Sequence, residues 1–401
     1  MMTPTPSAAQ LAARMQHVAM SPTIKGTIAA EKLRREGVDV VDLGAGEPDF
    51  PTPSHICEAG HAAINAQRTK YTANMGTLDL RQAVAARYRT DYGVEYAPDE
   101  IVITAGGKQA LYHAAIGLFG PGDDVITHAP GWPTIAEQIK LAGAKPVIVQ
   151  TRAEQGFVPT AELLLGALTP NTRGIVINSP GNPTGALLSE ADARLIAAEA
   201  ARRGLWVVLD LCYERLIYGG VPHNLPGIFG EVLRDRLVLA GSSSKAYAMT
   251  GWRLGWAVGP KAFASGANAL QSHTTSNASS ISQYAAVAAL NGPQQCVTDM
   301  LTVYQQRRDQ VLEWLAEEPR FRCAVPQGAF YVFPDIGDFL SPGGLRTSLE
   351  FSDALLAEEH VVTTPGEAFD APGFVRLSYA TSLERLREGL TRLIRFARKH
   401  S

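Results

Sequence analysis

Short apolar runs alternate with longer stretches of helical spacing through the middle of this chain. The runs at 101–104, 124–128, 146–150, 174–179, 206–210, 237–241 and 254–258 are rich in Val, Ile and Leu, and most of them run into a polar or Gly/Pro break. Between them, 108–119, 189–203 and 261–270 place apolar residues at helical intervals. Strands that are apolar throughout belong to a sheet buried on both faces, and helices between them supply parallel crossovers. The pattern therefore predicts an α/β architecture: a large domain with a mainly parallel seven-stranded sheet flanked by helices. Beyond about 293 the pattern changes to one long helix, 294–317, followed by short strands at 329–333 and 374–378 with helices between and after, a smaller α+β piece.

The segment from Ser242 to Arg253 carries the densest chemistry. Lys245 lies three residues after Ser242 and eight before Arg253. An amine that attacks carbonyls must be partly neutral, which calls for burial or nearby positive charge. A hydroxyl and a planar guanidinium close by suit a phosphate monoester. An aldehyde bearing its own phosphate meets both needs, so the physical candidate is pyridoxal 5'-phosphate held as a Schiff base on Lys245. A solvated Ser-rich loop beside Lys and Arg is the plain alternative. Two further runs bear on that choice. The run 175–185 reads as a buried strand breaking into a loop, where Asn182 offers an amide donor or simply forms a turn. The run 205–213 ends in Asp210 with Tyr213 three residues on. A fixed carboxylate keeps a pyridine nitrogen protonated, although an Asp ending a strand is often only a helix cap. Arg376, on the apolar run 374–379, needs a carboxylate from the protein or from a ligand.

Asn182, Asp210, Tyr213, Ser242, Lys245 and Arg253, in this order, resemble the fold type I pyridoxal-phosphate enzymes, specifically the class I and II aminotransferases of the bacterial aspartate aminotransferase group. The likeness runs nearly end to end, through 44–50, 70–71, 106–111, 130–132, 328–331 and 375–380. It implies that Lys245 is the Schiff-base lysine and proton carrier, that Asp210 pairs with the pyridinium nitrogen, and that Tyr213 and Asn182 bond the ring oxygen. Gly107, Lys108, Ser242 and Arg253 would cradle the phosphate at a helix start, with Tyr71 reaching in from a partner subunit. Trp132 would stack on the ring, and Arg376, helped by Gly46, would grip the substrate α-carboxylate. The resemblance further implies a segment 1–45 packing with the small domain, a cofactor domain at 46–292, a small domain at 293–401, and a homodimer with shared active sites.

Composition bounds the partners. The 401 residues carry 36 basic and 39 acidic side chains, a net charge of −3, which argues against nucleic acid bound on a basic surface. Cys57, Cys212, Cys296 and Cys323 show no metal spacing. Neither a signal-peptide pattern at 1–16 nor a bilayer-length apolar run is present, so a soluble cytoplasmic protein without a membrane partner is expected. The run Gly44-Ala45-Gly46 lacks the third glycine of a dinucleotide fingerprint, and Pro48 interrupts the helix that fingerprint needs. The stretch before Gly44 is short for a DNA-binding domain beside the family's own segment, so none is expected there.

The reading is an aminotransferase acting between an L-amino acid, with aspartate or glutamate preferred, and 2-oxoglutarate or oxaloacetate. A transaminase for aromatic or other neutral amino acids and a carbon–sulfur lyase share every cofactor-holding residue and stay open. Lys108 stands where the bacterial subgroup supplies charge near the distal carboxylate, and Lys25 is a second cation or an exposed loop lysine. Leu211 and Gly131 depart from the family pattern, and Gly131 is expected to widen the pocket.

Overall fold

The structure, a computed structural model, describes residues 25–400. The expectations placed on 1–24 lie outside the described residues, as does the side chain of Lys25.

All seven predicted strands form one sheet: β1 (Ile101–Thr104), β2 (Asp124–Ala129), β3 (Lys145–Gln150), β4 (Thr172–Asn178), β5 (Trp206–Asp210), β6 (Leu237–Ser242) and β7 (Gly255–Val258). Their spatial order is β1-β7-β6-β5-β4-β2-β3. Only β7 runs antiparallel to its neighbours, β1 and β6. The carboxyl ends of the other six strands therefore share one edge, where open α/β sheets bind ligands.

The alternation of side chains along each strand divides the core into two layers. On one face Ile101, Ile103, Ile175, Ile177, Val207, Leu209, Leu237 and Leu239 pack with Leu80, Val84, Ile196 and Phe229 from the covering helices. On the other face Val102, Val176, Val208, Val238 and Ala257 meet Ala110, Ala114, Ile139, Phe263 and Ala267. Helix ends follow local chemistry. Ser189 caps helix Glu190–Arg203 by accepting from the Asp192 amide at 3.0 Å, and Gly204 closes it in the left-handed region that a glycine adopts without strain.

A separate cluster joins the two ends of the described chain. Val41 and Leu43 pack with Tyr304, Phe330, Val332, Leu377 and Phe396. Strand Val41–Asp42 pairs in parallel with Val361–Val362, and Val375–Ser378 lies between Thr364–Pro365 and Tyr331–Val332. Tyr213, Leu216 and Tyr218 also belong to this cluster, so the loop after β5 is gripped by the second core.

The layered core predicts a contrast between two leucines. Leu209→Ala, in the middle of the sheet, will lower unfolding stability by about 2–5 kcal/mol. Leu195→Ala, on an exposed helix face, will change it by less than about 0.5 kcal/mol. Urea midpoints measure both, and equal losses would contradict the packing described.

Candidate active site

One cleft of about 560 Å³ opens at the carboxyl edge of the sheet, against the second core. Five of the seven strands lead into it. β5 ends at Asp210, and Cys212 and Tyr213 follow. β4 ends at Asn178, whose Oδ1 accepts from the Asn182 amide at 2.8 Å and fixes the loop that carries that residue. β6 ends at Ser242, and the turn beyond it holds Ser244, Lys245 and Arg253. β1 leads through Gly106 to helix Gly107–Leu118, whose start has no side-chain cap. β2 leads to Trp132, with the Lys108 ammonium 4.9 Å from its ring centre. Gly46 and Arg376 close the cleft from the second core's side.

Every predicted site residue lines this cleft except Tyr71, which is 90% exposed. Gly131 does not line it either. A β-carbon there would lie 2.3 Å from the His128 carbonyl oxygen, so the glycine answers a close backbone approach and does not widen the pocket. Leu211 packs into the sheet core, which explains an apolar residue at that position.

Asp210, Lys245, Arg253 and Arg376, four charges of the cleft, form no salt bridge among the described residues. Arg376 is 3% exposed, and its guanidinium donates only to neutral oxygens: the Gly44 carbonyl at 2.7 Å, Asn182 Oδ1 at 3.1 Å and Thr364 Oγ1 at 3.3 Å. Its Nε is buried with no acceptor among the described residues. Burial pushes the Asp210 carboxyl up to about 7, against a bond from the Cys212 amide at 3.1 Å and the nearby Lys245 charge. Burial likewise lowers the Lys245 amine, with Arg376 and Arg253 adding to the effect and Glu47 opposing it. The Lys245 amine donates to the Gly46 carbonyl. Lys108 is lowered by burial and then by Arg253. Arg253 sits in the left-handed backbone region, and its guanidinium donates to the carbonyls of Thr250 and Ala105.

Two glycines are required by close approach. A β-carbon at Gly106 would stand 2.6 Å from the Arg253 guanidinium, and one at Gly107 would stand 3.2 Å from Ser242 Cβ. Arginine, serine and an uncapped helix start thus crowd onto one small space. Sequence reasoning passed over Tyr331, Glu47, Thr250 and the Arg34–Asp42 ion pair, 3.1 Å long, all of which line the cleft. Tyr331 and Glu47 lie inside quoted motifs, so their signal was present without a role attached to it.

Residues 38–393 match the family described as aminotransferase class I and II. The chain is 41% identical over 387 residues to the aspartate aminotransferase of Geobacillus stearothermophilus, covering 96% of this chain and 98% of that one. It is 40% identical over 385 residues to a probable aspartate/prephenate aminotransferase of Aquifex aeolicus, covering 96% and 97%. The solved aspartate aminotransferase of Thermus thermophilus with maleate superposes with a TM-score of 0.91 at 37% identity, covering 97% of this chain and 100% of that chain. The chain belongs to the class I and II aminotransferases.

Enzymes of this family use pyridoxal phosphate, and the cleft has unmet groups suited to each end of that molecule. A buried carboxyl without a cation partner suits a pyridinium N–H. The uncapped helix start, with Ser242 and Arg253 beside it, suits a phosphate dianion. A half-buried amine with a lowered pKa suits an aldehyde.

Asp210 yields a prediction for the cofactor-free aminotransferase. Its folded pKa lies above the ordinary carboxylate value, so folding takes up a proton, and the stability tied to this group is present at low pH. It falls as pH rises from about 4 to about 7. Asp210→Asn removes that decline, so thermal melts of cofactor-free variant and wild type will differ most near neutral pH, the variant being favoured there. Curves that stay parallel from acid to neutral pH would show that the carboxyl is not forced to titrate this way.

Proposed function

We propose that this chain transfers the amino group of aspartate or glutamate to 2-oxoglutarate or oxaloacetate, as a cytoplasmic homodimer. The observation that carries the reading is Arg376: a buried guanidinium with only neutral acceptors and a vacant Nε, facing a cleft that also holds Lys245 and Lys108. A carboxylate on the substrate completes the bonding of that cation, and a bidentate pair fixes the orientation of the carbon beside it. The names of the relatives support dicarboxylic substrates, as does the maleate bound to the Thermus enzyme. None of the described helices is long and apolar enough to cross a membrane.

Bound pyridoxal phosphate supplies the electron sink that makes the substrate Cα–H bond acidic. The protein's own groups do the rest. Asp210 holds a proton on the ring nitrogen by offering a buried counter-charge. Tyr213 and Asn182 would bond the ring oxygen, Trp132 would stack on the ring, and Gly107, Lys108, Ser242 and Arg253 would hold the phosphate. Gly46 allows the substrate close to Arg376, because a β-carbon there would lie 3.9 Å from the guanidinium. The Lys245 amine takes the proton from substrate Cα and later returns one, a role that its lowered pKa favours. Lys108 provides positive charge for the distal carboxylate. The exposure of Tyr71 is consistent with a residue that acts on the partner subunit's phosphate. The two cores support the division drawn at about 45 and 293, with the described part of the first segment, at 41–43, joining the last.

A transamination panel tests the substrate reading, with aspartate, glutamate, alanine, phenylalanine and tyrosine as donors, and 2-oxoglutarate, oxaloacetate and prephenate as acceptors. Aspartate and glutamate are expected to lead, and faster turnover of a neutral or aromatic donor would overturn it. In the same assay Arg376→Ala will lower kcat/KM for every amino acid by about 10²- to 10³-fold. Lys108→Ala will lower it about tenfold for aspartate and less than about twofold for alanine. Equal losses on the two donors would remove Lys108 from distal recognition.

A further inference from the structure

Tyr331 is fully buried, yet its hydroxyl reaches the cleft. That hydroxyl lies 2.8 Å from the Tyr213 hydroxyl, and the two rings meet edge to face at 5.9 Å and 77°. The Arg376 guanidinium rests over the Tyr331 ring, 4.3 Å from its centre. Strand pairing fixes this arrangement. Tyr331 stands opposite Ser378 and Val332 opposite Leu377, so Arg376 is the diagonal neighbour of Tyr331 on the same face. Gly46 completes the surround, since a β-carbon there would lie 3.4 Å from the Tyr331 hydroxyl.

We propose that Tyr331 is a positioning residue for the transamination, joining the phenol at the cofactor ring to the arginine that grips the α-carboxylate. The inference rests on the reading in which Tyr213 bonds the ring oxygen and Arg376 the substrate. A phenol has one proton. Once Tyr213 gives its proton to the ring oxygen, the 2.8 Å contact persists only with Tyr331 as donor and Tyr213 as acceptor. A hydroxyl that accepts a hydrogen bond becomes a better donor. Burial keeps both phenols protonated, their pKa values being raised above the ordinary one, so the direction of the bond is stable. Tyr331 thereby strengthens the Tyr213 bond to the cofactor while its ring face supports Arg376.

This has a spectroscopic consequence. A donor at the ring oxygen withdraws negative charge that would otherwise hold a proton on the nitrogen joining Lys245 to the cofactor. Weakening that donor leaves the nitrogen harder to deprotonate. The other groups that face Lys245 are Glu47 from the loop after Leu43, Asp210 and Cys212 from the end of β5, Arg253 from the turn after β6, Lys108 from its helix start and Arg376 itself. None of them is altered by replacing the Tyr331 hydroxyl with hydrogen.

The test is a pH titration of cofactor absorbance in four loaded proteins: wild type, Tyr331→Phe, Tyr213→Phe and the double variant. Tyr331→Phe will raise the apparent pKa by roughly half a unit. Tyr213→Phe will raise it further, and the double variant will match Tyr213→Phe. An unchanged pKa in Tyr331→Phe, or a shift that adds fully to that of Tyr213→Phe, would overturn the proposal alone. No shift in Tyr213→Phe would remove the ring-oxygen reading beneath it as well. The arginine arm is read by succinate binding. Tyr331→Phe keeps the dissociation constant within about twofold, and Tyr331→Leu weakens it about tenfold. Equal affinity in the leucine variant would contradict the supporting role of the ring.

Discussion

Charges brought together without charged partners are the constraint on which this molecule turns. Asp210, Lys245, Arg253 and Arg376 all face one cleft, and the two most deeply buried, Asp210 and Arg376, meet only neutral groups at hydrogen-bond range among the described residues. Each such group destabilises the empty fold, because an ion taken out of water needs a counter-charge. The same deficit becomes binding energy once a ligand carries the complementary charge in the matching place. A pyridinium, a phosphate and a carboxylate would complete three of the four groups, and the fourth, an amine, would meet a carbonyl. The seven-stranded sheet serves this arrangement by ending six of its strands along one edge.

The loop at 44–52 translates that edge into a shared site. The Gly44 carbonyl accepts from Arg376, and the Gly46 carbonyl accepts from Lys245. Glu47 accepts from the Thr250 hydroxyl at 2.8 Å, and Thr52 donates to the Ala248 carbonyl at 2.6 Å. Asp49 forms a two-pronged pair with Arg307 at 2.7 and 2.9 Å, on the long helix Gln295–Leu315 of the second core. One short segment thus ties the lysine turn, the buried Arg376 and the helical core together. A forked ion pair holds such a segment more firmly than a single-point surface pair, because both of its bonds are fixed in direction.

Much of the architecture was legible in the sequence, for a physical reason. Strands covered on both faces must be apolar throughout, so β4, β5 and β6 stand out as Val/Ile/Leu runs, and their polar ends mark where ligands are met. The pieces that stayed hidden depend on long-range contacts. The two-residue strand Val41–Asp42 is defined only by its pairing with Val361–Val362, and no local pattern announces a partner 320 positions away. The reversed direction of β7 leaves no mark in its composition. Tyr331 reads as one more core aromatic until Tyr213 and Arg376 are seen against it. Gly131 misled because its lack of a side chain was attributed to the pocket, whereas the His128 carbonyl is what excludes a β-carbon.

Everything rests on a phosphorylated aldehyde held by one particular amine of the cleft. Borohydride reduction of the protein saturated with pyridoxal phosphate, followed by digestion and peptide mass mapping, addresses it directly. A single stable pyridoxyl adduct is expected on the peptide containing Lys245, with Lys108 unmodified. An adduct on Lys108 or on a surface lysine instead, with Lys245 unlabelled, would contradict it.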